Sequence, residues 1–145
     1  FLTGQFGTNV MAMSKAGAVA GGLAYHIQRL AANTYHFQIS VDGTAVSTVN
    51  SITTFTSIDW TFVVGRFIPS TELKIYTNDT TNTNVVAIPA SINNTATGLA
   101  IGAWIGGGPA RYWPGRATLC FLCASALSDA VVNNLFEQTR AAFGV

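Results

Sequence analysis

The chain has little charge, only two cysteines and no long apolar run. Of its 145 residues 9% are charged, against about 25% in an ordinary soluble domain. Seven Lys or Arg and six Asp or Glu leave a net charge of +1. The basic residues are scattered from Lys15 to Arg140 without a cluster. Nucleic acid is therefore not expected as a partner, because that affinity comes from grouped cations neutralising phosphates. Disorder is excluded as well: disordered chains combine low hydrophobicity with high charge, and here 49% of residues are hydrophobic. The longest uncharged stretch, between Asp79 and Arg111, is full of Asn, Thr, Pro and Gly. It is unsuited to span a bilayer, which takes about 20 predominantly apolar residues. Residues 117–127 are apolar but too short, so no membrane insertion is expected. No basic segment followed by an apolar stretch and a cleavage site opens the chain. It begins with Phe1, which suggests a processed product or a piece of something longer.

Cys120 and Cys123 form a C-x-x-C, a spacing that elsewhere signals redox chemistry or half a zinc site. They sit in an apolar run that reads as a strand, where residues three apart point to opposite faces. Ordinary buried thiols are the expectation.

What the chain does have is a series of short strands separated by turn residues, the pattern of an all-β sandwich or barrel. Residues 10–14 are a first short candidate. In 23–30, Leu23, Tyr25 and Ile27 share a face. In 35–41, Tyr35, Phe37, Ile39 and Val41 alternate with His36, Gln38 and Ser40. Asp42-Gly43 signals a tight hairpin into a strand at 44–49. Residues 58–68 and 72–77 form the strongest pair, followed by a turn at Asn78-Asp79 and a polar loop leading to a strand at 85–88. Residues 99–103 and 116–123 complete the set. One helix is expected over 128–143. Ser128 is a good N-cap and Asp129 suits the positive first turn. Val131, Val132, Leu135, Phe136 and Phe143 make one apolar stripe, with Gly144 just past the end.

The order of these features is recognisable. The strand built on Ile58, Asp59 and Trp60 and the return strand from Leu73 to Asn78 resemble the paired strands of laminin-G-like domains. Leu99 to Gly102, then Trp113-Pro114-Gly115, a strand, and Ala126-Leu127-Ser128-Asp129 entering a helix complete the likeness. Over residues 14–136 the chain resembles the laminin-G-like branch of the concanavalin A-like lectin/glucanase superfamily. The resemblance implies a single jelly-roll sandwich of two antiparallel sheets with a C-terminal helix. It also implies binding of glycans or proteins, as in secreted proteins, adhesins and phage surface proteins. Three departures stand out. The family's first strand has only residues 1–7 to come from, so it is expected in a preceding region or from a neighbouring chain. A long Thr/Asn loop follows Asn78-Asp79. The last strand is apolar on both faces.

Catalysis in the glucanase branch needs two carboxylates flanking the glycosidic bond. The six here are Asp42, Asp59, Glu72, Asp79, Asp129 and Glu137, and no two lie within four residues on an expected strand. A glycoside hydrolase is thus a remote alternative, and the reading is non-catalytic. The loop 104–113 is the richest binding candidate, with Trp104 and Tyr112 to stack on sugar faces and Arg111 to bond hydroxyls. Trp113 matches a family core position instead. Asn78 and Asp79 are further glycan candidates. The stretch 78–84 offers oxygens to Ca²⁺, but with one carboxylate it reads as a solvated turn, so no cofactor is expected. Asn78 and Asn93 stand in N-x-[ST] sequons. His26 and His36 fall on adjacent strands and read as hydrogen-bonded surface or cleft residues rather than ligands.

The expectation is a non-catalytic recognition or structural domain of a larger extracellular or virion-surface assembly. The alternative is a free-standing lectin-like module. Partners would be glycans or neighbouring protein subunits, the chain acting as a homo-oligomer or in a multi-copy assembly. Apolar residues on both faces of the last strand favour assembly, since a sheet with one wet face normally alternates.

Overall fold

The computed structural model describes residues 2–3, 9–17, 21–55, 59–105 and 111–145. These residues form two antiparallel sheets, a two-stranded ribbon and one C-terminal helix, an all-β sandwich with a helical flank. The strands are β1 (Leu2–Thr3), β2 (Val10–Ala16), β3 (Leu23–Arg29), β4 (Tyr35–Ser40) and β5 (Val46–Asn50). They continue as β6 (Val63–Ile68), β7 (Glu72–Thr77), β8 (Thr80–Asn84), β9 (Ala100–Ile101) and β10 (Arg116–Ala117). One sheet runs β5-β4-β3-β2-β9 and the other β6-β7-β8, while β1 pairs with β10. Leu2 also bridges Thr61, so Leu2–Thr3 ties the segment before β6 to β10. No helix among the described residues is long and apolar enough to cross a membrane.

Alternation builds the core. On β4, Tyr35, Phe37 and Ile39 point inward, joined by Val10, Ala12 and Val49 from neighbouring strands. Leu73 and Ile75 come from the opposite sheet. A Cβ on Gly65 of β6 would lie 2.7 Å from the Phe37 ring, so the two sheets meet where one strand has no side chain. Trp113 stacks on Tyr35 in this core, with ring centroids 6.3 Å apart, in keeping with its expected core position.

The outward face of the smaller sheet carries the helix, α1 (Asp129–Phe143). The Ser128 hydroxyl accepts from the Val131 N–H, and Gly144 closes the helix at φ 70°. Val132 and Phe136 pack on Phe62 and Tyr76. Polar contacts fix the N-terminus: Tyr76 Oη donates to Asp129 Oδ1 at 2.7 Å and Lys74 Nζ to Oδ2 at 3.0 Å. Arg66 pairs with both Glu72 and Asp129 and donates to the Leu127 carbonyl at 2.9 Å.

Several boundaries differ from the sequence reading. β4 and β5 are joined through residues 41–45 rather than a two-residue turn. Asp42 Oδ1 accepts from the backbone of Thr44 and Ala45, both at 2.8 Å, a local network that a two-residue turn would leave unmade. The expected strand at 58–68 begins at Val63, and Ile58 lies outside the described residues. The polar stretch after Asp79 is not a loop. Asn78 takes φ 50°, which suits a tight turn, and Thr80–Asn84 returns as β8 along β7. Pairing decides it: all five residues of Thr80–Asn84 ladder with Leu73–Thr77, and Thr is at home in a strand. Residues 85–88, expected as a strand, are irregular, with Val85 and Val86 exposed. The largest correction concerns 116–123, where only Arg116–Ala117 is strand. Cys120 and Cys123 are both exposed free thiols rather than buried ones, because the segment carrying them runs along the surface outside any ladder. Leu119 there takes φ 52°, a left-handed conformation that interrupts a strand.

Two outcomes test this architecture. Gly65→Ala pushes a methyl group into Phe37 and should cost about 1–3 kcal/mol, read as a lower urea midpoint; an unchanged midpoint refutes the contact. Asp129 is held down to about 2 by the Tyr76 hydroxyl first and by Lys74 and Arg66 after it. Because its folded value lies below its unfolded one, its contribution is complete above about pH 4 and disappears as pH falls through about 2. Stability of Asp129→Asn should therefore be lower at neutral pH and decline less steeply in acid. Parallel acid profiles would contradict the network.

Candidate functional site

The face of the larger sheet opposite the core is largely polar, with Met11 and Val46 as apolar members. Register places Ser14, His26, Gln38 and Thr48 in one row across β2 to β5, and Gln28, His36 and Asn50 in the next. Gln38 Nε2 donates to Thr48 Oγ1 at 2.8 Å. His26 and His36 meet diagonally with Nε2 atoms 3.0 Å apart, and Gln28 Oε1 lies 2.9 Å from His36 Nε2. The histidines are hydrogen-bonded, as expected, but buried rather than on the surface. Burial is the main force lowering both, His26 to about 3 and His36 to about 4. The Arg111 charge acts in the same direction on each. Both imidazoles are neutral at neutral pH.

Segments on either side of residues 106–110 are stitched to β2. Ser14 Oγ donates to the Ala103 carbonyl at 2.7 Å, the Gly102 N–H to Ala12 at 2.9 Å, and the Met11 N–H to the Arg111 carbonyl at 2.9 Å. These bonds bring two of the expected site residues together. The Arg111 guanidinium lies 5.5 Å from the Trp104 ring centroid, and that indole packs edge-on 6.0 Å from His26. Arg111 takes φ 51°, a conformation costly for a residue with a Cβ. Tyr112 is 59% exposed and free to meet a ligand in solution. The glycine run at 106–108 lies outside the described residues.

Asn78 and Asp79 belong to a different place, the β7–β8 turn. They line a cleft of about 320 Å³ with Asp59, Trp60 and Arg140. Asn78 Oδ1 accepts from the Phe62 N–H at 2.8 Å, so this side chain is partly committed to holding the turn. Trp60 rests on Phe143 of the helix, centroids 5.2 Å apart. An aromatic ring beside two carboxylates, an amide and a guanidinium suits a hydroxyl-rich ligand. The calcium alternative at 78–84 has no convergent oxygen set. Asn82 and Asn84 donate to the Asn50 and Thr48 carbonyls, and their own oxygens accept from Thr83 and Val86 N–H groups. Of the sequon residues, Asn93 spends its amide on the Gly21 and Leu23 carbonyls, at 2.6 and 3.0 Å.

Sequence reasoning missed the proximity of the histidine pair to Trp104 and Arg111. Alternation alone placed both histidines on the outer face, but the crossing of 100–105 onto β2 has no local signature. It also missed that Trp60 and Arg140 share a cleft with Asn78 and Asp79. Comparisons with protein-family models, with curated proteins and with solved structures each find no match.

Proposed function

We propose that this chain is a non-catalytic structural and recognition domain of a larger extracellular or virion-surface assembly, built as a laminin-G-like jelly roll. The two antiparallel sheets and capped helix are the support for that fold, together with the order of motifs in the sequence. The observation that carries the assembly reading is the strip at 119–122. Leu119, Phe121 and Leu122 are 56%, 49% and 55% exposed, side by side on a segment outside any ladder. Leu119 and Phe121 border an apolar cavity of about 100 Å³ between the sheets, lined also by Met13, Ile27, Val63 and Gly65. Over its length β6 pairs only with β7 among the described residues, so its other edge offers unpaired backbone next to the strip. Apolar surface beside an open edge marks an association site, and a neighbouring copy of the chain is the occupant proposed.

Four of the six carboxylates are committed to structural contacts, while Asp59 and Asp79 line the cleft beside Trp60. Glu72 and Asp129 are engaged by Arg66 and Lys74, and Glu137 pairs with Arg140 at 2.9 Å. Asp42 serves its own loop.

Light scattering after size exclusion should find a multimer, and combined replacement of Leu119, Phe121 and Leu122 by Thr should leave a folded monomer. A wild-type chain that stays monomeric across the concentration range, or a triple variant that assembles equally, refutes the assembly role.

A lectin-like activity is the second reading, favoured by the cleft around Trp60, Asn78 and Asp79 and by the Trp104–Arg111 pair. Retention on a glycan array should be abolished by Trp104→Ala with Tyr112→Ala if the second surface binds, or by Asn78→Ala with Asp79→Ala if the cleft does. A wild-type protein that retains no glycan sinks it.

A further inference from the structure

His26, Gln28 and His36 form a cluster that hydrogen bonding satisfies incompletely. Their exposures are 4%, 3% and 8%, so solvent does little for them. His36 Nε2 faces two electron-pair donors at once, His26 Nε2 at 3.0 Å and Gln28 Oε1 at 2.9 Å. If His36 Nε2 carries a proton, that proton is divided between two acceptors. If His26 Nε2 carries it instead, Gln28 Oε1 is set against the His36 lone pair. Two further buried atoms of the cluster, His26 Nδ1 and Gln28 Nε2, have no partner. Unpaired buried polar atoms are destabilising, and three β-strand positions hold them there.

We propose that His26 Nε2, His36 Nε2 and Gln28 Oε1 bind one divalent transition cation of the nickel or copper type. Imidazole nitrogen sits about 2.0–2.1 Å from such a metal, so ligands at right angles are about 3.0 Å apart and tetrahedral ones about 3.3 Å. The two spacings that meet at His36 Nε2, 3.0 and 2.9 Å, match right-angled edges as well as they match hydrogen bonds. Tetragonal sets of nitrogen and oxygen favour Cu²⁺ or Ni²⁺ over Zn²⁺. The third donor is an amide, and no three His, Cys, Asp or Glu gather among the described residues. Water or a donor from outside would complete the coordination. The Arg111 guanidinium stacks on Trp104, which packs edge-on against His26, so its charge opposes the cation and weakens the site. This assignment departs from the sequence reading of the histidines as non-ligands, and it is independent of the assembly role.

Titration calorimetry of the whole chain with NiCl₂, in a non-coordinating buffer at slightly alkaline pH, should give one site per chain. His36→Gln should weaken it by at least about tenfold, and Arg111→Ala should tighten it several-fold. The double variant Cys120→Ser with Cys123→Ser should leave it unchanged, since the exposed thiols are the competing ligands. Absence of binding, binding lost with the thiols, or affinity indifferent to His36 and Arg111 would each overturn the assignment. Because a His36 variant can misfold, electron paramagnetic resonance of the wild-type chain with one equivalent of Cu²⁺ gives a separate reading. Hyperfine splitting from two equatorial nitrogens is expected; splitting from none or one overturns the site.

Discussion

The contact between Phe37 and the bare backbone of Gly65 governs this molecule. Phe37 is the middle inward residue of β4, the second strand of the larger sheet, and Gly65 is its counterpart on β6. Sheets in a sandwich stack about 10 Å apart, and a large ring opposite a missing side chain fills that gap without forcing the layers apart. Once Phe37 faces inward, strand alternation leaves no freedom elsewhere on β4. Tyr35 and Ile39 must follow it into the core, and His36 and Gln38 must face away. The core and the polar outer face are therefore two consequences of one register, and a one-residue slip would exchange them.

The same logic operates on the smaller sheet with a different outcome. Inward Leu73 and Ile75 meet the core, while outward Lys74 and Tyr76 meet the helix. Both faces are covered, and charge is concentrated where the helix must be oriented. Asp129 collects a phenol, an ammonium and a guanidinium within one helical turn of the N-terminus, where negative charge also complements the helix dipole. Apolar packing of Val132 and Phe136 holds the helix down; the ionic group sets its rotation. The 119–122 segment reaches the margin of this sheet without entering its ladder, and among the described residues β6 pairs only with β7.

Much of this was legible before any coordinates. β3, β4, β7 and the helix announce themselves because alternation or helical periodicity, capping and breakers all agree there. The Thr-rich β8 did not, since Thr and Asn carry turn and strand preferences together, and pairing with β7 decides between them. The 116–123 segment failed for the opposite reason. Its composition is ideal for a strand, but strand formation needs a partner, and the described partner covers only Arg116–Ala117. Exposure of Cys120 and Cys123 follows from that shortfall. Site residues were legible as residue types and not as groups. Trp104 and Arg111 were near in sequence and proved near in space, whereas Asn78 and Asp79 stand on the other sheet. The His26–His36 encounter is a diagonal contact whose meaning depends on Gln28, a residue that no motif singles out.

Scarcity of charge takes on a particular meaning in this arrangement. The described ion pairs fall around α1: at its N-terminus with β6 and β7, and within its last turns. The outer face of the larger sheet instead carries Ser, Thr, Asn, Gln and neutral His, together with the apolar Met11 and Val46. Such a face can be buried under another layer at much lower desolvation cost than a charged one, and the 100–105 crossing already buries part of it. The apolar strip at 119–122 extends the same economy to the other margin. A surface made of uncharged polar groups on one side and apolar groups on the other would cost little desolvation if a partner covered either. Low charge, a filter against nucleic acid at the level of composition, thus also lowers the desolvation cost of the association proposed for this chain.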